Sequence, residues 1–134
     1  MATRETAMSR PVLLPSAEHP ITVEPTGSRV VVRVGGKVVA DSRSALTLQE
    51  STYPAVQYIS MTDVDQSVLR RTETSTYCPF KGDASYYSVE TPDGQTVDDV
   101  IWTYEKPYPA VAEIAGHVAF YTDRAEVTVE PAGA

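Results

Sequence analysis

Two runs of β-branched residues joined by Gly35-Gly36 constrain this chain more than any other feature. Val30, Val32 and Val34 alternate with Val31 and Arg33, and Lys37-Val38-Val39-Ala40 follows the glycines. A two-residue hairpin turn needs positive φ at its centre, which glycine adopts without a Cβ clash. The pattern predicts an antiparallel hairpin, and a hairpin needs further strands to bury its apolar face.

Further strands are legible on both sides. Ile21 and Val23 alternate with Thr22 and Glu24, and Tyr53 to Ser60 carries Val56, Tyr58 and Ile59 after Pro54. Residues 84–91 read as a strand, the turn Pro92-Asp93-Gly94-Gln95 follows, and Thr96 to Glu105 returns with Val100, Trp102 and Tyr104 on one face and Ile101 on the other. Pro107 and Pro109 stop it. Ala110 to Ala115 fits one helical turn ending at Gly116, and His117–Tyr121 and Ala125–Val129 read as the last strands. One short helix is expected at about 63–70. Thr62 would cap it, Asp63 and Asp65 suit its positive end, Val64, Val68 and Leu69 lie on one side, and Arg70 and Arg71 suit its C-terminal end.

Six to eight short strands with at most two short helices make a mainly β domain, either a compact two-sheet arrangement or a partly open barrel. The length of 134 residues suits one domain. Residues 1–19, with Pro11 and Pro15 before Pro20, read as a flexible N-terminal tail, residues 20–130 as the domain and 131–134 as a second tail. His19, in that tail, is expected to take no part in a site.

Charge and cysteine usage remove several function classes. The net charge is −7, distributed as +1 over residues 1–82 and −8 over residues 83–134. Such a chain lacks the clustered Lys and Arg that nucleic acid or an anionic membrane surface requires. No segment approaches the apolar length of a membrane span, and the N-terminus lacks a signal-peptide pattern, so the expected location is cytoplasmic. The single cysteine, Cys78, excludes an intrachain disulfide and a cysteine zinc cluster. Neither a cofactor nor a metal is expected: Asp98 and Asp99 are adjacent on a strand and point to opposite faces.

Three features carry possible chemistry. Pro79 holds Cys78 extended and suits the first corner of a turn, with Gly82 at its exit. Lys81, three residues after Cys78, would favour thiolate if it reached the sulfur; otherwise Cys78 is a small apolar residue beside a surface lysine. Of 11 aromatic residues 8 are Tyr, which pair a flat apolar face with a hydroxyl and suit either a pocket wall or a half-buried sheet face. If the alternation of Leu46 and Leu48 continues, Glu50 shares their face and needs a cationic partner, for which Lys81 and Arg70 are candidates. His117, opening a strand after Gly116, is a strand-edge residue or a general acid/base. The nucleophile elbow, P-loop and zinc-protease motifs are absent.

The runs Leu48-Gln49-Glu50-Ser51 with Tyr53-Pro54, Cys78-Pro79-Phe80-Lys81-Gly82-Asp83-Ala84-Ser85-Tyr86-Tyr87, Trp102-Thr103-Tyr104-Glu105-Lys106-Pro107 and Ile114-Ala115-Gly116-His117-Val118-Ala119-Phe120-Tyr121 resemble the bacterial domain of unknown function 427 family. The likeness covers roughly residues 18–130. It implies a small, cytoplasmic, tent-like two-sheet β domain with a central pocket, and some family labels imply nucleotidyltransferase activity. The Gly-Ser motif with paired carboxylates that such enzymes commonly use is not in the sequence. The resemblance adds weight to Glu50, Tyr53, Cys78, Lys81, Tyr86, Trp102, Tyr104, His117 and Tyr121.

Three functions are compatible with these residues. The first is a small-molecule-binding domain with a pocket walled by Tyr53, Tyr86, Trp102, Tyr104 and Tyr121, anchored by Lys81 and Glu50, with Cys78 near its floor. The second is an enzyme using Cys78 as nucleophile or redox centre, with Lys81 stabilising thiolate and Glu50 or His117 as acid/base. The third is a structural module whose tyrosines meet a partner in a homodimer.

Overall fold

A computed structural model describes residues 10–131; of the expected tails 1–19 and 131–134, residues 1–9 and 132–134 lie outside the described residues. Ten strands follow one another: β1 (Ile21–Pro25), β2 (Val30–Val34), β3 (Lys37–Ser42), β4 (Leu46–Glu50), β5 (Val56–Ser60), β6 (Leu69–Cys78), β7 (Gly82–Glu90), β8 (Thr96–Thr103), β9 (His117–Phe120) and β10 (Glu126–Val129). They form two antiparallel sheets, one of seven strands in the order β1-β4-β5-β9-β8-β7-β6 and one of three in the order β10-β2-β3. The protein is mainly β, and the described residues form no closed barrel.

The glycine-centred hairpin forms as its sequence requires. Val34 pairs with Lys37, and Gly35 and Gly36 have φ of 58° and 81°. Its buried side chains Val30, Val32, Val34, Val39 and Ala40 pack on one face of the large sheet, against Ile59, Val89, Ile101, Val118 and Phe120. Strand alternation sends the neighbours of those residues to the opposite face. Tyr58, Tyr86 and Ala119 gather there with Leu48, Tyr104, Val111 and Ile114. A 3-10 segment, Pro109–Ile114, occupies the expected helical turn and covers this second cluster with Val111 and Ile114.

The expected helix at 63–70 does not form. Two separate 3-10 turns, Met61–Asp63 and Gln66–Val68, take its place, and β6 begins at Leu69. Val64 is extended between them and bridges Ala40, while the Asp65 amide donates to the Val39 carbonyl. This attachment to β3 uses backbone groups that a continuous helix would need. Ser60 and Asp65 are the caps, rather than Thr62. Val64 and Val68 are both buried as expected, but in the aliphatic core.

A second departure lies in β8. Val100 packs with Ile101 in the aliphatic core instead of with Trp102. Asp99, just before it, has φ of 47°, and the β7–β8 register shifts between Tyr87 and Val89. An irregularity of this kind resets which face a strand residue meets.

The large sheet is joined at its middle by very little. β5 and β9 share the pairs Ile59–Val118 and Ser60–His117, whereas β4 pairs with β5 as far as Val56. Toward Val56, β5 therefore stays with β4 and leaves β9, opening a cleft inside the sheet. Tyr58, Trp102 and Tyr121 stand in that cleft.

Candidate functional site

The cleft holds a cavity of about 400 Å³. Two elements supply its polar corner. β4 carries Glu50 on the same face as Leu48, as its alternation predicts, and both side chains line the cavity. The β6–β7 turn carries Lys81. Cys78 pairs with Gly82 across this turn, the Lys81 amide donates to the Cys78 carbonyl, and Gly82 has φ of 110°. That positive φ calls for glycine, because a side chain there would be strained, although a Cβ would meet nothing closer than the Lys106 carbonyl at 3.4 Å.

Lys81 is 7% exposed, and its Nζ donates to Glu50 Oε1. Arg70, the other candidate partner, bonds Glu90 on the surface instead. Burial by itself would raise the Glu50 carboxyl. Hydrogen bonds from Lys81 and His19 outweigh it and hold the group below the ordinary carboxylate range.

His19 corrects the expectation that it stands apart. Its Nε2 donates to Glu50 Oε2 at 2.7 Å, and its ring stacks on Phe80 with centroids 4.3 Å apart. The chain before it is fastened over the same turn. Leu13 donates its amide to the Pro79 carbonyl, the Tyr77 hydroxyl donates to the Pro11 carbonyl, and Arg10 pairs with Asp83. Residues 10–19 are thus a strap across the β6–β7 turn, with His19 as its inner contact. Nothing in the local sequence signals this, since the contact spans 31 residues to Glu50.

The aromatic wall is ordered by its own hydroxyls. Trp102 Nε1 donates to the Tyr58 hydroxyl at 3.1 Å, and the two rings meet edge to face. Trp102 also packs on Tyr121 at 4.5 Å between centroids. The hydroxyls of Tyr86 and Tyr121 lie 3.3 Å apart, and that of Tyr86 also meets Thr76 Oγ1. Burial pushes the Tyr121 phenol up to about 12, helped by the bond with Tyr86, and raises Tyr58 and Tyr104 above the ordinary phenol value. These groups stay neutral and offer both donor and acceptor capacity.

Tyr104 differs from its neighbours. It is mostly buried, and no side-chain hydrogen bond among the described residues reaches its hydroxyl. No fully buried side-chain polar atom in the described structure lacks a partner. The Tyr104 hydroxyl therefore reaches open space, and the cavity it lines provides that space.

Glu50, Tyr53, Lys81, Tyr86, Trp102, Tyr104 and Tyr121, all singled out in the sequence, line this one cavity. Leu48, Pro54, Val56 and Tyr58 complete it. Two candidates stand elsewhere. Cys78 is half-buried, its Sγ 3.8 Å from Lys81 Nζ, and packs behind the lysine against the aromatic cluster without lining the cavity. His117 pairs with Ser60 at the closed end of the cleft and bonds the Ala115 carbonyl through Nδ1.

A family model described as domain of unknown function 427 matches residues 22–131. The chain belongs to this family. The runs Cys-Pro-Phe-Lys-Gly and Gly-His-Val-Ala-Phe-Tyr map to the turn that presents Lys81 and to β9 with Tyr121 just after it. No curated protein matches the chain. The nucleotidyltransferase label attached to the family implies paired carboxylates, and Glu50 is the one carboxylate among the residues lining the cavity, already paired with Lys81. No helix among the described residues is long and apolar enough to cross a membrane.

Proposed function

We propose that this domain binds a small molecule in the cleft between β5 and β9. The observation that carries the reading is an ion pair between buried Lys81 and half-buried Glu50, facing a cavity of ligand size that Tyr104 also lines. Burying an ion pair costs desolvation that packed apolar residues would avoid. Here the pair supplies donors and acceptors at one end of an otherwise apolar and aromatic space, the composition typical of ligand pockets. Cys78 acts behind Lys81 as a packing residue, and the strap at His19 orients Glu50.

Trp102 is the only tryptophan of the chain and lines the cavity, so its fluorescence reports on the cleft in which it stands. A thermal-shift screen of metabolites, followed by native mass spectrometry of the purified protein, should yield a compound that also changes Trp102 emission. A broad screen without a stabilising compound, with no retained mass, overturns the reading.

A further inference from the structure

A second cavity of about 320 Å³ adjoins the first. Pro54, Val56, Trp102 and Tyr121 line both. The second is completed by Phe120 and Val127, which belong to or pack against the aliphatic core on the other face of the large sheet. The cleft between β5 and β9 therefore passes from one face of the sheet to the other. No β5–β9 pairing crosses it beyond Ile59 and Val118, and Pro54, Val56, Trp102 and Tyr121 are common to both spaces.

The two spaces differ in chemistry. In the first, Lys81 and Glu50 cancel each other's charge, so an anion would meet the carboxylate and a cation the ammonium. An uncharged group with a donor beside an acceptor fits better. Glu50 can accept, a remaining Lys81 N–H can donate, and the Tyr104 hydroxyl can do either. The second space has no charged residue in its lining.

We propose that the ligand is an elongated, uncharged molecule that spans both cavities: an amide-like head at Lys81, Glu50 and Tyr104, and an apolar tail that passes Trp102 and Tyr121 to lie on Phe120 and Val127. The proposal rests on the binding reading above and adds the ligand's charge, length and direction.

Three probes test it, read by Trp102 fluorescence and by backbone-amide shifts in the wild-type protein. Benzamide offers the head alone, para-butylbenzamide adds the tail, and para-butylbenzoate replaces the head by an anion. The tailed amide should bind tighter than benzamide by roughly tenfold or more, since each buried methylene contributes appreciably. It should shift amides at Lys81, Tyr104 and Val127 together, and Val127→Asp should remove the gain from the tail. The acid should bind more weakly than the amide. Equal affinity of the two amides, or shifts confined to the Lys81 end, overturns the spanning ligand while the binding reading stands. Preference for the acid overturns the uncharged head. No shift with any probe overturns the inference, and the binding reading falls with it only if the metabolite screen is also blank.

Discussion

The two faces of the seven-stranded sheet solve the same burial problem with different residues. On the face covered by the β10-β2-β3 sheet, every buried core member except Phe120 is Val, Ile or Ala. On the other face Tyr58, Tyr86 and Tyr104 do most of the filling, with Trp102 and Tyr121 packed against them. Branched aliphatic side chains interdigitate between two sheets and close the space. Long rings with hydroxyl tips are held at fixed angles by hydrogen bonds to one another, and they leave a cavity with a buried lysine at its edge. One face is packed with branched aliphatic side chains, and the other is an aromatic wall around the larger cavity.

The sharpest way to break this contrast is to open the full face. Ile101 is completely buried in the aliphatic core. Ile101→Ala should cost about 2–5 kcal/mol, read from the denaturation midpoint, because a close-packed site cannot collapse onto the missing atoms. If it costs no more than an exposed substitution, the two faces are not packed differently.

The aliphatic face is also the part most legible in the sequence. Its hairpin is written in Val alternation and two glycines, and alternation survives burial because a strand has only two sides. Helical spacing misled at Val64 and Val68, where residues four apart entered one core through two short turns fixed to β3. The strand β6 went unread because Leu69–Cys78 is a polar edge strand with most of its residues exposed, and no apolar face marks it. The cavity wall was readable residue by residue. Its convergence was not: Glu50 and Lys81 are 31 positions apart, and pairing of β1, β4 and the β6–β7 turn decides whether they meet. His19 is the extreme case, since a proline-punctuated segment gives no period from which a contact could be inferred.

A second test addresses the open face. Lys81→Met leaves the Glu50 carboxylate with His19 as its remaining partner and should cost about 1–3 kcal/mol, the usual cost of depriving a buried polar group of a hydrogen bond. Adding Glu50→Leu should recover part of the loss, because the double variant buries no orphaned charge. Additive losses in the cycle would mean that the pair does not act as a unit.

A smaller effect appears in acid. Glu50 is depressed in the folded protein relative to the ordinary value of 4.5. A depressed carboxyl contributes stability that is complete above its unfolded value and is lost as pH falls through the folded one. The stability difference between wild type and Glu50→Gln should therefore be constant from neutrality down to about pH 4.5 and shrink below it. Asp41, Asp93 and Asp99 are depressed as well, but they are common to both proteins and cancel in the comparison. A difference that is independent of pH would show that Glu50 draws nothing from its charge.

The smallest effect on stability separates the hydroxyls within the aromatic face itself. The Tyr58 hydroxyl is the acceptor for Trp102 Nε1, so Tyr58→Phe should cost about 1 kcal/mol and shift Trp102 emission as the indole loses its partner. Tyr104→Phe removes a hydroxyl that no described side chain bonds, so stability should stay within about 0.5 kcal/mol of wild type. The same substitution should weaken para-butylbenzamide binding by several-fold, because the group it deletes faces the cavity. Those two outcomes would assign opposite tasks to chemically identical groups, Tyr58 to the wall and Tyr104 to an occupant of the cavity. If Tyr104→Phe proves the more destabilising of the two, its hydroxyl has a structural partner after all, and the open face is as self-satisfied as the aliphatic one.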